Sequence, residues 1–420
     1  MDKILTMFFE KERWVAAIEK GYGKGISKRD LYILTNGNTL MRMADAMMKG
    51  EYEVAPPYTA KIPKDKPGEF RTVYINQPID RVLLSIANDL LFELTPEMVH
   101  ERCGSYQKGK SCGRIVQGIT QEITQVNNNV IGWKSDLSKY FDSVPLQYID
   151  KAFDMVEEKH GHSALIDVLR KYYHSDWFFD ENKDLQCSYQ SLKQGCAVAS
   201  WLADVILYHI DDKLATMKGK YHRYSDDMIY IGEDHAQAKQ VLEEELAKMD
   251  MKLNPKKVEQ LTKDKWFKFL GFSIKNTAIS FSPTRLKDFQ KEIENRTIKR
   301  KKTTYTRALN SVNRFMYKGN GEFSWATGVL GVVNVRKDID ELNKFVMDCL
   351  RAVITGKKKV GGLGFVKTKA DGCVVRGIGK NVKANRQKTG DDLPNYLSIG
   401  CMQNAITTRR GVYNALVAQM

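Results

Sequence analysis

Three aspartates, found at two places in the sequence, could bind metal ions and support phosphoryl chemistry. Asp136 ends the short apolar run 130–136, and Asp226 and Asp227 are adjacent in the tetrapeptide YSDD. Neighbouring carboxylates repel each other, and a cation relieves that repulsion. Mg²⁺ prefers carboxylate and phosphate oxygens and keeps part of its water shell. An Asp-Asp pair more often lies in a solvated turn, so the pair alone does not define a site.

The elements around these acids indicate how they could meet. The run 130–136 predicts a strand, and residues 221–231 predict a hairpin whose tip carries the acidic pair. If the strand packs beside the hairpin, the three carboxylates surround a space for two ions. Two ions about 3.5–4 Å apart can activate a hydroxyl nucleophile and stabilise a pyrophosphate leaving group.

The rest of the chain predicts a mixture of helices and strands. Residues 1–55 are expected to be mostly helical, and 59–75 predict a basic β-hairpin around a Pro-Gly turn. Apolar spacing predicts helices at 80–94, 197–211 and 236–248. From Ser282 onward the pattern is mainly helical and basic, whereas the last sixty residues are rich in Gly and Lys.

The charge balance favours a phosphate-rich partner. The chain has 420 residues, 66 Lys and Arg against 51 Asp and Glu, and a formal net charge of +15. It has no run of 18 apolar residues and no secretory signal pattern, so neither a membrane partner nor secretion is expected. The cysteines are scattered without a C-x-x-C pair, which predicts reduced thiols and a cytoplasmic location.

Several ordered motifs resemble those of bacterial retroelement reverse transcriptases, over residues 60–275. YSDD resembles the Y-x-D-D motif, and KSDLSKYFDSV resembles the strand that supplies the first metal-binding aspartate. The other matching segments are FRTVYINQPIDRVL and SYQKGKSCGRI of the fingers, QGCAVASWLADVILYHID (194–211) of the Q-G helix, LNPKKVE (253–259), and FLGFSI (269–274) of the primer grip.

The resemblance implies an α+β fold, a right-hand polymerase with fingers, a ferredoxin-like palm and a helical thumb. The expected divisions are 1–125 for N-terminal helices and fingers and 126–275 for the palm, with part of the fingers interspersed at about 150–192. A basic helical thumb is expected at 276–356 and a C-terminal Gly/Lys-rich extension at 357–420.

The resemblance also implies a role for individual residues. Asp136, Asp226 and Asp227 would hold two Mg²⁺ ions, with Mn²⁺ as an alternative and the Leu137 carbonyl as a further ligand. Phe141 would lie under the sugar and exclude a 2′-hydroxyl. The other residues implied to bind the deoxynucleotide are Arg71 with Lys61 or Lys64, Gln194, Gly195 and Lys257. Primer-grip residues are Phe269, Leu270 and Gly271, and the nucleic-acid backbone would meet Lys299, Arg300, Lys301 and Lys302.

Two departures from the family pattern concern the Q-G helix. Ala199-Ser200 replaces the usual Ser-Pro, and Asp204 replaces the usual Asn. These changes are expected to affect template contacts or fidelity and to leave the metal site intact. Ser225 occupies the variable position of Y-x-D-D, where a small residue leaves room for a primer end.

The resemblance implies an RNA-directed DNA polymerase with an RNA template, a DNA product and deoxynucleotide substrates. RNase H, integrase, zinc-knuckle, HNH and retron motifs are missing from the sequence, which favours a stand-alone enzyme of antiphage defence that copies a structured noncoding RNA. Diversity-generating and group II intron-like enzymes are the alternatives. A non-catalytic RNA-binding scaffold and a template-independent or protein-primed polymerase are alternatives of other classes.

Overall fold

The structure is a computed structural model that describes residues 2–64, 68–107, 109–318, 324–355, 366–367 and 374–375. It divides into two compact units. The first contains Met1–Lys110 and Val126–Thr262, and the second contains Ser111–Gln125 and Lys263–Met420. The predicted boundaries at 125 and 275 do not coincide with these units, because 111–125 packs with the C-terminal half. The predicted extension 357–420 lies outside the described residues except for two short strands.

The helices, in chain order, are α1 (Lys3–Phe8), α2 (Lys11–Glu19), α3 (Lys28–Leu34), α4 (Gly37–Met48), α5 (Pro78–Leu94), α6 (Cys112–Gln125), α7 (Tyr140–Ser143), α8 (Leu146–His160), α9 (Ala164–His174), α10 (Val198–Val205), α11 (Tyr208–Ala215), α12 (His235–Lys248), α13 (Pro283–Arg296), α14 (Tyr305–Asn313) and α15 (Arg336–Thr355). Shorter turns are the 3₁₀ segment Pro96–Met98 and the π-helical segments Arg314–Lys318 and Ala326–Leu330.

The strands are β1 (Tyr58–Pro63), β2 (Phe70–Ile75), β3 (Val130–Asp136), β4 (Trp177–Phe179), β5 (Leu185–Cys187), β6 (Lys220–Tyr224), β7 (Asp227–Ile231), β8 (Glu259–Thr262), β9 (Phe267–Phe269), β10 (Phe272–Lys275), β11 (Ala278–Phe281), β12 (Val366–Lys367) and β13 (Val374–Val375). Among the described residues, no helix is both long enough and apolar enough to cross a membrane.

The main sheet of the first unit confirms the predicted strand and hairpin. Its strand order is β6-β7-β3-β8, and every neighbouring pair is antiparallel. Helices α7–α11 connect β3 to β6, and α12 connects β7 to β8, which is the β-α-β-β-α-β arrangement of a ferredoxin-like sheet. Trp133 of β3 stacks on Tyr230 of β7 with ring centroids 5.9 Å apart.

A second sheet in the first unit contains the predicted basic hairpin. Strands β1 and β2 pair antiparallel with Ile62 opposite Arg71, and β4 and β5 extend the sheet to the order β2-β1-β4-β5. The following helix, α5, begins at Pro78, whose missing N–H is no loss in a first helical turn. Its apolar face, which includes Leu83, Leu90 and Leu91, is buried in the core.

The predicted helix 197–211 is wrong in one respect, because the structure divides it into α10 and α11. The break follows from a buried arginine. In a continuous helix the carbonyls of Ala203 and Asp204 would accept bonds from the N–H groups four residues on. Here Arg223 donates to both, at 3.1 Å and 2.8 Å, and the Tyr140 hydroxyl donates to the Ala203 carbonyl at 2.9 Å.

The second unit is mainly helical from Ser282, as predicted. Ser282 accepts a hydrogen bond from the Arg285 N–H and so caps α13, and Pro283 occupies its first turn. Phe289 of α13 packs on Trp325 with ring centroids 4.3 Å apart. The small sheet β11-β10-β9 precedes these helices.

A glycine in β3 provides a test of the close packing in the main sheet. A Cβ at Gly132 (φ 154°) would lie 1.9 Å from the Tyr230 carbonyl oxygen. We expect Gly132→Ala to lower the free energy of unfolding by about 1–3 kcal/mol, because the sheet must open to admit the methyl group. Urea unfolding measures the change. Gly37→Ala, which places its Cβ in open space at the start of α4, is the matched control. Equal stability of the two variants would contradict this account of the sheet.

Candidate active site

The register of the main sheet brings the predicted acids together. Asp136, the last residue of β3, lies directly opposite Asp227, the first residue of β7. Side chains of opposite residues in an antiparallel pair project from the same face, with Cβ atoms about 4.5–5.5 Å apart. Asp226 lies beside them in the two-residue turn Ser225–Asp226 between β6 and β7. We call Asp136, Asp226 and Asp227 the aspartate triad.

Asp136 carries a buried oxygen that is suited to a metal ion. The residue is 4% exposed, and its Oδ2 forms an ion pair with Lys257 Nζ. No described residue donates a hydrogen bond to its Oδ1, although that atom is buried. A buried carboxylate oxygen without a partner is costly, and a bound cation would remove that cost. The residues present therefore fit a divalent metal.

The other two acids have raised pKa values, and burial is the largest cause of each rise. Burial raises the pKa of Asp226, and repulsion from Asp136 adds to the rise, whereas Lys257 and Arg71 oppose it. For Asp227, burial and then repulsion from Asp226 and Asp136 raise the pKa to about 6. The Asp227 residue is exposed to solvent, which screens part of this repulsion. Lys257 and Arg71 offset only part of the negative charge of the triad.

The ligand atoms of the triad are not all within 4.8 Å of one another. Among the described residues, only Glu157, His162 and Asp167 have ligand atoms all within 4.8 Å of one another. Arg170 donates to Glu157 at 2.9 Å, and both ring nitrogens of His162 face carboxylates, so that group is an ion-pair network.

Lys257 reaches the triad because its segment pairs with the end of β3. Asn254 donates from its N–H to the Asp136 carbonyl at 2.9 Å, and Ser138 donates to the Lys252 carbonyl at the same distance. A turn then brings Lys257 back, with its N–H bonded to Asn254. Burial acts to lower the Lys257 pKa, but the triad outweighs burial and the pKa is raised. Lys257 therefore stays charged beside Asp136.

The Gln194–Gly195 loop rests on the strand that carries Arg71. Tyr74 of β2 donates from its N–H to the Gln194 carbonyl at 2.7 Å. Gly195 has φ 108°, and a Cβ there would lie 2.8 Å from the Tyr74 carbonyl oxygen, so only glycine permits this approach. Arg71 of the same strand acts electrostatically on Asp226. The structure thus groups Arg71 and this loop with the triad in the first unit.

Phe141 follows β3 by five residues and lies half-buried in α7. Its carbonyl accepts a hydrogen bond from the Leu192 N–H at 3.1 Å, which ties α7 to the loop that precedes Gln194. Its ring meets that of Tyr140 edge-to-face at 5.6 Å. The backbone of Phe141 is thus tied to the loop that leads to Gln194, and its role under the sugar stays a prediction.

The two lysines predicted to assist Arg71 differ in placement. Lys61 is paired with Thr72 across the hairpin, so it projects from the face opposite to Arg71, and its ammonium bonds to Glu181 at 3.3 Å. The structure therefore does not bring Lys61 together with Arg71. Lys64, at the end of the hairpin, lies near Asp142. Burial raises the pKa of Asp142, and the charges of Lys139 and Lys64 partly oppose that rise.

Comparisons with known proteins identify the family. Residues 62–274, half of the chain, match the family described as "Reverse transcriptase (RNA-dependent DNA polymerase)". The chain belongs to the reverse transcriptase family. This membership, together with the observed mixture of helices and sheets, confirms the predicted α+β polymerase fold class. The comparison with curated proteins found no match.

Two solved structures resemble this reverse transcriptase chain distantly. Apo telomerase from Candida tropicalis has 12% identity and a TM-score of 0.45, covering 72% of this chain and 58% of that chain. Telomerase from Candida albicans, in complex with the TWJ fragment of telomeric RNA, has 10% identity and a TM-score of 0.41, covering 73% and 62%. The chain thus spans about three fifths of the length of these relatives.

The remaining predicted residues of the reverse transcriptase lie in the second unit. Leu270 and Gly271 form a two-residue turn with φ values of 47° and 78°, and Phe269 before it is buried. The exposed basic segment, Lys299, Arg300, Lys301 and Lys302, connects α13 and α14. Lys299 forms an ion pair with Glu294. The primer-grip and backbone-binding roles of these residues, and that of the Leu137 carbonyl, stay predictions.

Sequence reasoning missed four residues directly behind the YSDD turn: Ser105, Asp204, Asp211 and Arg223. All four are fully buried. The available signal was the pair of acids spaced seven residues apart in an otherwise apolar segment, with an arginine just before YSDD. Asp204 is fully buried behind this turn, so its side chain does not itself reach a template. The expectation that its departure from Asn affects fidelity stays a prediction.

Removing one acid of the triad should stabilise the metal-free protein. In EDTA, we expect Asp227→Asn to raise the melting temperature at pH 7 by about 2–4 °C, because a shielded charge and its repulsion disappear. Folding raises the pKa of Asp227 to about 6, so its charge destabilises the folded state as pH rises from about 4 through 6. The gain should therefore vanish near pH 4, as thermal unfolding across this range will show. A gain that is the same at both pH values would contradict the assignment.

Proposed function

We propose that this chain is an RNA-directed DNA polymerase that adds deoxynucleotides to the 3′ end of a primer. The observation that carries the proposal is the pairing of Asp136 with Asp227 across the sheet, with Asp226 in the adjoining turn. The buried, unpartnered oxygen of Asp136 adds a ligand that fits a metal. Membership of the reverse transcriptase family supports the same chemistry.

The proposed cofactor is a pair of Mg²⁺ ions, with Mn²⁺ as an alternative. The aspartate triad and the Leu137 carbonyl would hold them. When bound, such ions activate the primer hydroxyl and stabilise the charge of the leaving pyrophosphate. The carboxylates suit hard cations because they offer only oxygen ligands.

The chain's own side chains would orient the nucleotide. Arg71 would bind the triphosphate, since a guanidinium can contact two phosphate oxygens at once. Gly195 would leave room for close approach of the nucleotide to the backbone. Lys257, whose ammonium pairs with Asp136, would donate a proton to the leaving pyrophosphate. Phe141 would lie under the sugar, so that a 2′-hydroxyl clashes with its ring.

We further propose that the enzyme is of the stand-alone bacterial type and acts in antiphage defence, copying a structured noncoding RNA. The presence of Gln194 supports this choice over diversity-generating enzymes. The net charge of +15 supports an RNA partner. Sequencing of the nucleic acid that copurifies with the chain tests this proposal, since recovery of random cellular RNA would contradict it.

Two proposals of other classes make different predictions. A non-catalytic RNA-binding scaffold has no use for three acids brought together at one end of the sheet, and their presence supports an enzyme. A template-independent or protein-primed polymerase would use the same acids but would incorporate nucleotides without an RNA template, or would retain the product covalently on the protein. Incorporation measured with and without template, followed by protease digestion of the product, separates these activities.

The aspartate pair provides the direct test of catalysis. We expect Asp226→Ala with Asp227→Ala to reduce Mg²⁺-dependent deoxynucleotide incorporation by at least about 10³-fold, because two of the three carboxylate ligands are gone. RNA binding, measured by filter retention, should survive. The control is Glu243→Ala with Glu244→Ala, which removes the same charge from the exposed face of α12. Unchanged incorporation in the aspartate variant would exclude the proposed function.

The aromatic ring of Phe141 should determine sugar selectivity. We expect Phe141→Ala to increase the use of ribonucleotides relative to deoxynucleotides by about tenfold or more, because the side chain that meets the 2′-hydroxyl is removed. Phe141→Tyr keeps the ring and should keep the selectivity. The ratio of kcat/KM for the two nucleotides measures the effect. If selectivity stays unchanged in both variants, Phe141 does not contact the sugar.

A further inference from the structure

We propose that Ser105 and a buried network of Asp204, Asp211 and Arg223 are positioning residues that hold Asp226 in place for metal binding. The proposal rests on the proposed function of the triad. None of these four side chains belongs to the triad, and each is fully buried. They act on Asp226 through its neighbour in the turn, Ser225.

Arg223 forms the centre of the network. Its Nε and Nη2 donate to the two carboxylate oxygens of Asp211, at 2.7 Å and 2.5 Å. Its Nη1 donates to the Ser225 carbonyl at 3.1 Å. The same guanidinium binds the carbonyls at the end of α10, so one side chain joins the YSDD turn to α10 and α11. A planar guanidinium with several fixed donors can make all these contacts at once, which a lysine cannot do.

Ser105 binds the N–H of Ser225, on the opposite side of the turn from Arg223. Its hydroxyl accepts a hydrogen bond from the Ser225 N–H at 2.9 Å and donates to Asp204 Oδ1 at 2.5 Å. The segment around it pairs with β6, because the Arg223 N–H bonds to the Arg102 carbonyl at 3.0 Å and the Gly104 N–H bonds to the Arg223 carbonyl at 2.8 Å. Ser105 is therefore fixed relative to the strand that leads into the turn.

All the polar groups of Ser225 are consequently bonded. Its N–H is held by Ser105, its carbonyl by Arg223, and its Oγ accepts from the Tyr106 hydroxyl at 3.3 Å. Ser225 has φ 56°, a left-handed conformation that costs a serine about 1–2 kcal/mol. Such a conformation persists only when its surroundings impose it. Because Asp226 is the next residue, loss of these bonds would let the turn relax and displace its carboxylate from the triad.

Asp204 serves this network as an acceptor and not as a charge. Its Oδ1 accepts a hydrogen bond from Ser105 and lies 3.9 Å from Arg223 Nη1. Its Oδ2 has no hydrogen-bond partner among the described residues. Arg223 is already neutralised by its two bonds to Asp211. An amide at position 204 would keep the acceptor oxygen for Ser105, so Asp204→Asn should be tolerated and Asp204→Ala should not.

The experiment compares Ser105→Ala, Asp204→Ala and Asp204→Asn in the full chain. Mn²⁺ binding to the protein without nucleic acid is measured by electron paramagnetic resonance, and kcat and KM for the deoxynucleotide are measured separately. Ser163→Ala is the matched control, because Ser163 is also fully buried and its hydroxyl accepts a bond from the Leu165 N–H at the start of α9. Thermal unfolding reports stability for each variant.

We expect Ser105→Ala and Asp204→Ala to weaken Mn²⁺ binding and to lower kcat, each by about tenfold, the size of one lost buried hydrogen bond. KM for the deoxynucleotide should change by less than about twofold, because Arg71 and Gln194 are untouched. Asp204→Asn should remain within about twofold of the wild type. Ser163→Ala should lose stability and keep Mn²⁺ affinity, which separates positioning from general destabilisation.

Wild-type Mn²⁺ affinity in both alanine variants would overturn the inference, as would an Asp204→Asn variant as defective as Asp204→Ala. If Ser105→Ala does not fold, the two Asp204 variants still decide. Failure of the proposed function gives a different result, since the wild type would then lack polymerase activity. The Mn²⁺ measurement does not depend on that activity.

Discussion

The constraint on which the site depends is the register of β3 against β7, which places Asp136 opposite Asp227. A two-residue turn adds Asp226, so the three acids lie close enough to repel one another. Lys257 and Arg71 compensate part of their charge, but burial, and then repulsion among the acids, still raises the pKa of Asp226 and Asp227. Bound cations would relieve this repulsion, so metal affinity would depend on the precision of strand pairing.

Holding acids together against repulsion requires a rigid turn, and the neighbouring helices provide the rigidity. Arg223 takes the carbonyls of Ala203 and Asp204, which would otherwise continue α10 into α11. The helix therefore breaks where Arg223 binds it, and the same side chain donates to the Ser225 carbonyl. A buried ion pair seldom stabilises a fold on balance, because desolvation opposes it. The Arg223–Asp211 pair is better understood as a device that fixes one geometry.

The sequence predicted what local patterns determine. The strand ending in Asp136, the hairpin with YSDD and the helix after Arg71 follow from alternation, turn residues and apolar spacing over short segments. The break near Ile206 was not predictable, because its cause is a guanidinium seventeen residues away along the chain. The side on which Lys61 projects depended on the register of β1 against β2, which a one-residue slip would reverse. The packing of 111–125 with the C-terminal half is likewise a long-range property.

At position 204 the structure changes the interpretation of the family pattern. By the motif alone, the Asp that replaces the usual Asn lies on a helix expected to line the nucleotide and template. In the structure this side chain is buried and accepts a hydrogen bond from Ser105, which in turn accepts one from the Ser225 N–H. Both Asp and Asn can provide that acceptor oxygen, so the hydrogen bond survives the change of charge. Position 204 thus provides an oxygen at one point behind the turn, and an added buried acid there can coexist with the triad.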